Sequence, residues 1–141
     1  MKKLLVLLAV IGIAVACTDE PDTLKFHVAF VPVISVEMPE EMIFGQTYEI
    51  KVKYKRPNDC HYFDGFYHDP NNTSAEIIAV QTLVIEDAQC APLDGLEPDE
   101  SSFDFTCSST YAGTSYLFKF YKGDDAQGNQ QFLEIEVPVH Q

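Results

Sequence analysis

Tyr48, Ile50, Val52 and Tyr54 alternate with Glu49, Lys51, Lys53 and Lys55. Successive side chains of an extended chain point to opposite faces, so this period of two demands a strand with one face in a core and the other in water. A helix would scatter the same apolar residues around its circumference. Near the C-terminus Leu133, Ile135, Val137 and Val139 alternate with Glu134, Glu136 and Pro138 in a second such strand. A proline there suits a sheet edge, where no ladder hydrogen bond needs its missing N–H. Between the two, Tyr116, Phe118 and Phe120 form an aromatic stripe opposite Leu117, Lys119 and Tyr121. The Gly-Asp-rich turn at 123–129 joins that strand to the last one as a hairpin.

Further strands are expected at 26–37, 62–67, 77–86 and 102–107, the first interrupted by Pro32. That makes about seven strands and no amphipathic helix, which indicates an all-β fold, a single antiparallel β-sandwich over residues 25–141. The Pro32 break fits a first strand that kinks and crosses from one sheet to the other. From Ile43-Phe44-Gly45-Gln46 into Tyr48 to Tyr54 the chain resembles the entry to the second strand of bacterial immunoglobulin-like domains. The resemblance implies an immunoglobulin-like outline without the buried Trp and inter-sheet cysteine pair of antibody domains.

Ahead of this domain, Met1, Lys2 and Lys3 precede an apolar stretch at 4–16. Thirteen residues as a helix rise only about 20 Å, short of a hydrocarbon core of about 30 Å. The stretch therefore reads as a cleavable signal at 1–16. Ala14-Val15-Ala16-Cys17 resembles the lipobox of bacterial lipoproteins, with Ala14 where the pattern has Leu. The resemblance implies lipidation of Cys17 and an outer-membrane lipid anchor, with the periplasmic and cell-surface faces both open. Residues 17–24 are an acidic tether, with Thr18-Asp19-Glu20-Pro21-Asp22 at its centre. It resembles the export signal of surface lipoproteins in the Bacteroidota, and Asp22-Thr23-Leu24 resembles their O-glycosylation sequon. The mature stretch, with Asn58 to Tyr67 and Phe118-Lys119-Phe120, resembles small lipoproteins of that group, which implies an address and a fold but no activity.

Charge bounds the partners. Removing Lys2 and Lys3 with the signal leaves seven basic residues against twenty-two acidic ones, a formal charge of −15. Nucleic acid is excluded as a partner, and anionic headgroups are repelled. The membrane is reached through the N-terminal lipid, and an envelope protein or glycan is the candidate partner.

Cys60, Cys90 and Cys107 remain in an oxidising compartment, where one disulfide is expected. Cys60 and Cys90 sit where strands give way to loops, whereas Cys107 continues the alternation of Phe103 and Phe105 as a buried small hydrophobe. The expected pair is Cys60–Cys90.

His61, Asp64, His68 and Asp69 are the residues nearest to a metal-ligand set. Regular strand geometry puts positions three or seven apart on opposite faces, so His61 should point away from both Asp64 and His68. Metal binding through His61 and His68 is therefore an alternative that needs the strand to break. Asp124, Asp125 and Asn129 miss the spacing of a calcium loop and read as turn residues. No Gly-x-Ser-x-Gly, His-Glu-x-x-His or phosphate-binding glycine loop occurs, so no catalytic residue and no cofactor are expected. The run Tyr62, Phe63, Phe66 and Tyr67 leaves two placements open. Phe63 and Tyr67 can join the core with the other rings over a sheet edge, or Tyr62, Phe66 and Tyr67 can form an exposed binding surface. The reading is a non-catalytic binding or assembly accessory protein, or a structural envelope lipoprotein with no ligand, which would lack that exposed patch.

Overall fold

The computed structural model describes residues 23–140, so the signal, Cys17 and the tether through Asp22 lie outside the described residues. Nine strands follow in chain order: β1 (Phe26–Val31), β2 (Val33–Glu37), β3 (Met42–Ile43), β4 (Thr47–Tyr54), β5 (His61–His68), β6 (Glu76–Ile85), β7 (Asp99–Thr106), β8 (Ser115–Asp124) and β9 (Gln130–His140). No helix occurs among the described residues. The count exceeds seven because the stretch at 26–37 divides at Pro32 and because Met42–Ile43 pairs as a short strand of its own.

Pro32 acts as the sequence implied. β1 pairs with β6 in a six-stranded sheet, and β2 pairs with β4 in a three-stranded sheet of order β2-β4-β7. β6 is the hub of the larger sheet: β5 runs along it, β1 takes Val80 to Ile85, and β8 takes Glu76 to Ile78. β9 extends β8 outward and β3 closes the far side.

The sandwich is not wholly antiparallel. β6 and β8 pair in parallel because β7, which lies between them in the chain, belongs to the other sheet and returns the chain in the same direction. β3 lies parallel to β9 because β1, β2 and β3 all run one way before Gly45 turns the chain. Val139 N–H donates to Thr114 O, so the nitrogen of Pro138 faces the opposite edge, which β3 covers only at Val139 and His140. The edge position expected for this proline is observed.

Both sheets contribute to one core. Val33, Ile50, Val52 and Tyr54 from the smaller sheet share it with Ile78, Val80, Phe118, Phe120 and Val137 from the larger. Aromatic rings cross the gap edge to face, Phe105 meeting Phe118 at 5.0 Å and Tyr116 at 5.0 Å. The one fully buried polar side chain among the described residues, Thr82, donates its hydroxyl to Ala29 O at 3.0 Å, which satisfies it across the β1–β6 pair. Arg56, the chain's single arginine, forks onto Asp99 at 2.7 and 3.2 Å and donates to His61 O at 2.8 Å. It thereby ties the end of β4 and the start of β7 to the start of β5 in the opposite sheet. The Asp99 carboxylate raises the Arg56 pKa against the opposing effect of desolvation.

Candidate functional site

The two outer surfaces of the fold differ in chemistry. On the three-stranded sheet Glu49, Lys51 and Lys53 face water beside Glu100, Ser102 and Asp104, and loose ion pairs such as Lys53–Glu100 at 3.7 Å join them. On the six-stranded sheet Ile78, Val80 and Thr82 point inward, so Ile77, Ala79, Leu83 and Ile85 line the outer face of β6. Gln81 shares this face and donates to Asp64 at 2.6 Å, and Lys119 stands opposite Ile77, but the remaining neighbours are apolar: Phe26, Val28 and Phe30 on β1, with Tyr62 and Tyr67 on β5. Phe26 is 60% exposed, Val28 53% and Tyr62 53%, so this apolar surface is open to solvent. Soluble single domains rarely leave so much contiguous apolar surface in water.

A cleft of about 380 Å³ opens in this face. Its cause lies in the pairing. β8 holds the edge of β6 only as far as Ile78, where it pairs through Phe120, and from Val80 onward β1 occupies that edge. β8 therefore parts from β6 at Tyr121, and the gap is walled by Phe30, Tyr67, Tyr121 and Phe132. Phe30 lies 5.3 Å from Tyr67 and 6.3 Å from Tyr121, and Tyr121 meets its cross-strand partner Phe132 at 6.3 Å. Ile77 and Ala79 also line the cleft, with Asp69 and Gln130 adding polar groups.

The polar groups of the cleft are only partly engaged. Asp69 accepts from the backbone N–H and side-chain amide of Asn71 through one carboxylate oxygen, at 2.9 and 3.3 Å. Tyr121 donates to Asp124 at 3.0 Å, and burial followed by that carboxylate raises its pKa. The Tyr67 hydroxyl and the Gln130 amide make no hydrogen bond to protein among the described residues. Lys119, cross-strand from the cleft residue Ile77, is held by Glu134 at 2.7 Å and does not itself line the cleft.

The structure divides the binding surface read from the sequence. Tyr62 and Tyr67 lie on the outer face, and Tyr67 lines the cleft, so Tyr67 is not a core residue. Phe66 points inward instead, packing on Phe103 at 4.9 Å and Phe63 at 5.5 Å. The cause is a bulge that sets Asp64 and Gly65 together against Gln81 and reverses the alternation of β5. Phe63 faces inward at the rim, stacked on Tyr54 at 5.8 Å yet 43% exposed.

The same bulge overturns the face assignment of the histidines, because His61, Phe63, Phe66 and His68 all share the inner side. They still do not form a metal site. His61 pairs with Val84 and His68 with Ile78, so they stand about 20 Å apart along the strand. His61 Nδ1 lies 2.8 Å from Asn58 Oδ1, and the His68 ring packs edge-on to Phe103 at 5.2 Å. The metal alternative built on this pair is corrected accordingly.

Cys60 and Cys90 form the expected disulfide, and Cys107 is a free, fully buried thiol. Asp59 completes the one cluster of potential metal donors among the described residues, but its two sulfurs are already bonded to each other. Asp125 accepts from the backbone N–H groups of Gln127 and Asn129, each at 2.9 Å, as a turn residue should. Cys17 lies outside the described residues.

Phe30, Tyr121 and Phe132 were not singled out from the sequence as binding residues. A usable signal was present: 26–31 and 77–85 carry apolar residues at both parities, which a strand with one wet face does not need. No protein-family model, curated protein or solved structure matches the chain.

Proposed function

We propose that this chain is a lipid-anchored envelope lipoprotein that works by non-catalytic recognition through the outer face of its six-stranded sheet. The observation that carries the reading is the open apolar surface of β1, β5 and β6 with its aromatic cleft, since a structural lipoprotein without a ligand has no use for it. The charged segment at 1–3, the apolar segment at 4–16 and Cys17 supply the export signal and the anchor to the outer membrane. Nine residues from Cys17 to Lys25 span at most about 30 Å, so the tether keeps β1 close to the lipid surface. A first strand shared between two sheets supports an immunoglobulin-like outline, and the parallel β6–β8 pairing is a departure from that type. The partner is an envelope protein or glycan.

Two measurements test this. Intact mass spectrometry of the protein from a membrane fraction should find acyl chains on Cys17 that Cys17→Ala removes, and an unacylated chain would sink the anchor. Native protein should bind the neutral apolar dye Nile red, with binding lost in a Phe30→Ser, Phe132→Ser double variant whose circular dichroism is unchanged. A native protein that leaves the dye dark would overturn recognition through this face.

A further inference from the structure

We propose that the cleft between Phe30, Tyr67, Tyr121 and Phe132 binds an organic cation of the alkylammonium class, with Asp69 as its counter-charge. The inference rests on the reading of this sheet face as a recognition surface and names the chemistry it recognises.

Four aromatic side chains converge on one opening, with ring centroids 5.3 to 6.3 Å apart. Their π-faces are electron-rich, and a cation within about 6 Å of a ring is attracted by its quadrupole. Rings spaced this closely let a single ammonium group meet more than one of them. Among the described residues Asp69 is the only charged one lining the cleft, and no lysine or arginine lines it to repel a cation or to pair with an anion. One Asp69 oxygen is held by Asn71, and the other makes no hydrogen bond among the described residues. The whole chain carries a formal charge of −13, so its field draws cations toward a low-dielectric opening and turns anions away. The cleft volume of about 380 Å³ suits a small head group or one side chain. An alkylammonium group therefore gains from the rings, the carboxylate and the overall field together, whereas a neutral ligand gains from the rings alone.

Such a group can be a free small molecule or the side chain of a partner's lysine. Saturation-transfer difference NMR on the full chain separates these, using choline, its neutral isostere with a tert-butyl group in place of trimethylammonium, and a short peptide carrying trimethyllysine. Choline should bind at least about fivefold more tightly than the isostere. Asp69→Asn, which keeps an acceptor oxygen for Asn71, should weaken choline about fivefold and leave the isostere unchanged. Tyr67→Ala should weaken both probes. A peptide at least about tenfold tighter than choline assigns the cation to a partner protein, and equal binding assigns it to a free ligand. Equal affinity for choline and the isostere overturns the proposal, as does the failure of every cationic probe. If Nile red still binds in that sample, the recognition face survives and only its cationic chemistry is lost. If the dye fails too, the underlying reading falls with it.

Discussion

Phe63 and Phe66 stand three positions apart on one strand, yet both rings lie on its inner side with centroids 5.5 Å apart. Regular alternation forbids this, and the bulge at Asp64 and Gly65 permits it. Gly65 has φ +134°, in a region that side chains with a Cβ rarely occupy. A Cβ built there would meet nothing within 4 Å, so the cost of substitution is confined to the backbone. Gly65→Ala should destabilise the protein by about 1–3 kcal/mol in urea unfolding. A loss under about 0.5 kcal/mol would show that the bulge does not need glycine.

The bulge also marks where the sequence stopped being legible. The strands at 48–54 and 133–139 declare themselves because one face is charged and the other apolar, and Pro32 declares the sheet crossing because it has no N–H to continue the ladder. The cysteine pairing was readable from loop against strand context. One extra residue in β5 leaves no compositional mark beyond a glycine, and it reverses every side chain after it. That reversal placed Phe66 inside and Tyr67 outside. The cleft was hidden for a different reason: its walls come from β1, β5, β8 and β9, which meet only through the pairing order around β6.

Cys60 and Cys90 are 30 residues apart, and their bond anchors the start of β5 to the loop after β6. In the chain-entropy account, closing a loop of that length stabilises by about 3–4 kcal/mol. A Cys60→Ala, Cys90→Ala double variant should lose about that much in urea unfolding, with the native fold kept at low denaturant. The Cys107 thiol should stay unreactive toward a thiol reagent until the protein unfolds, because it is fully buried. Rapid modification of Cys107 in native protein would contradict its place in the core.

Arg56→Lys retains the charge but loses the fork that engages both Asp99 oxygens and the His61 carbonyl at once. A lysine can make one of these contacts well, so the variant should be less stable by about 1–2 kcal/mol. Lys53→Arg, at an exposed pair with Glu100, should change stability by no more than about 0.5 kcal/mol. Equal effects of the two changes in denaturant titrations would show that the contact between sheets carries no special weight.

His68 packs edge-on to Phe103, and desolvation lowers its pKa from the usual 6.5 despite the opposing charge of Glu76. His61 is lowered as well, by desolvation first and then by the charges of His27 and Arg56. When a folded histidine holds its proton less tightly than the unfolded chain does, acid favours unfolding. The contribution is complete above the unfolded value of 6.5 and is lost as the pH falls through the lower folded value. The urea midpoint should therefore drop between about pH 7.5 and about pH 5.5, a window above most carboxylate titration. Much of the His68 ring remains in solvent, which keeps the expected effect small for that residue alone. A His61→Gln, His68→Gln double variant should flatten the drop by removing both titrating groups. A slope unchanged in the double variant would assign the acid sensitivity to other groups, and a wild-type midpoint that rises toward pH 5.5 would reverse the direction assigned to both rings.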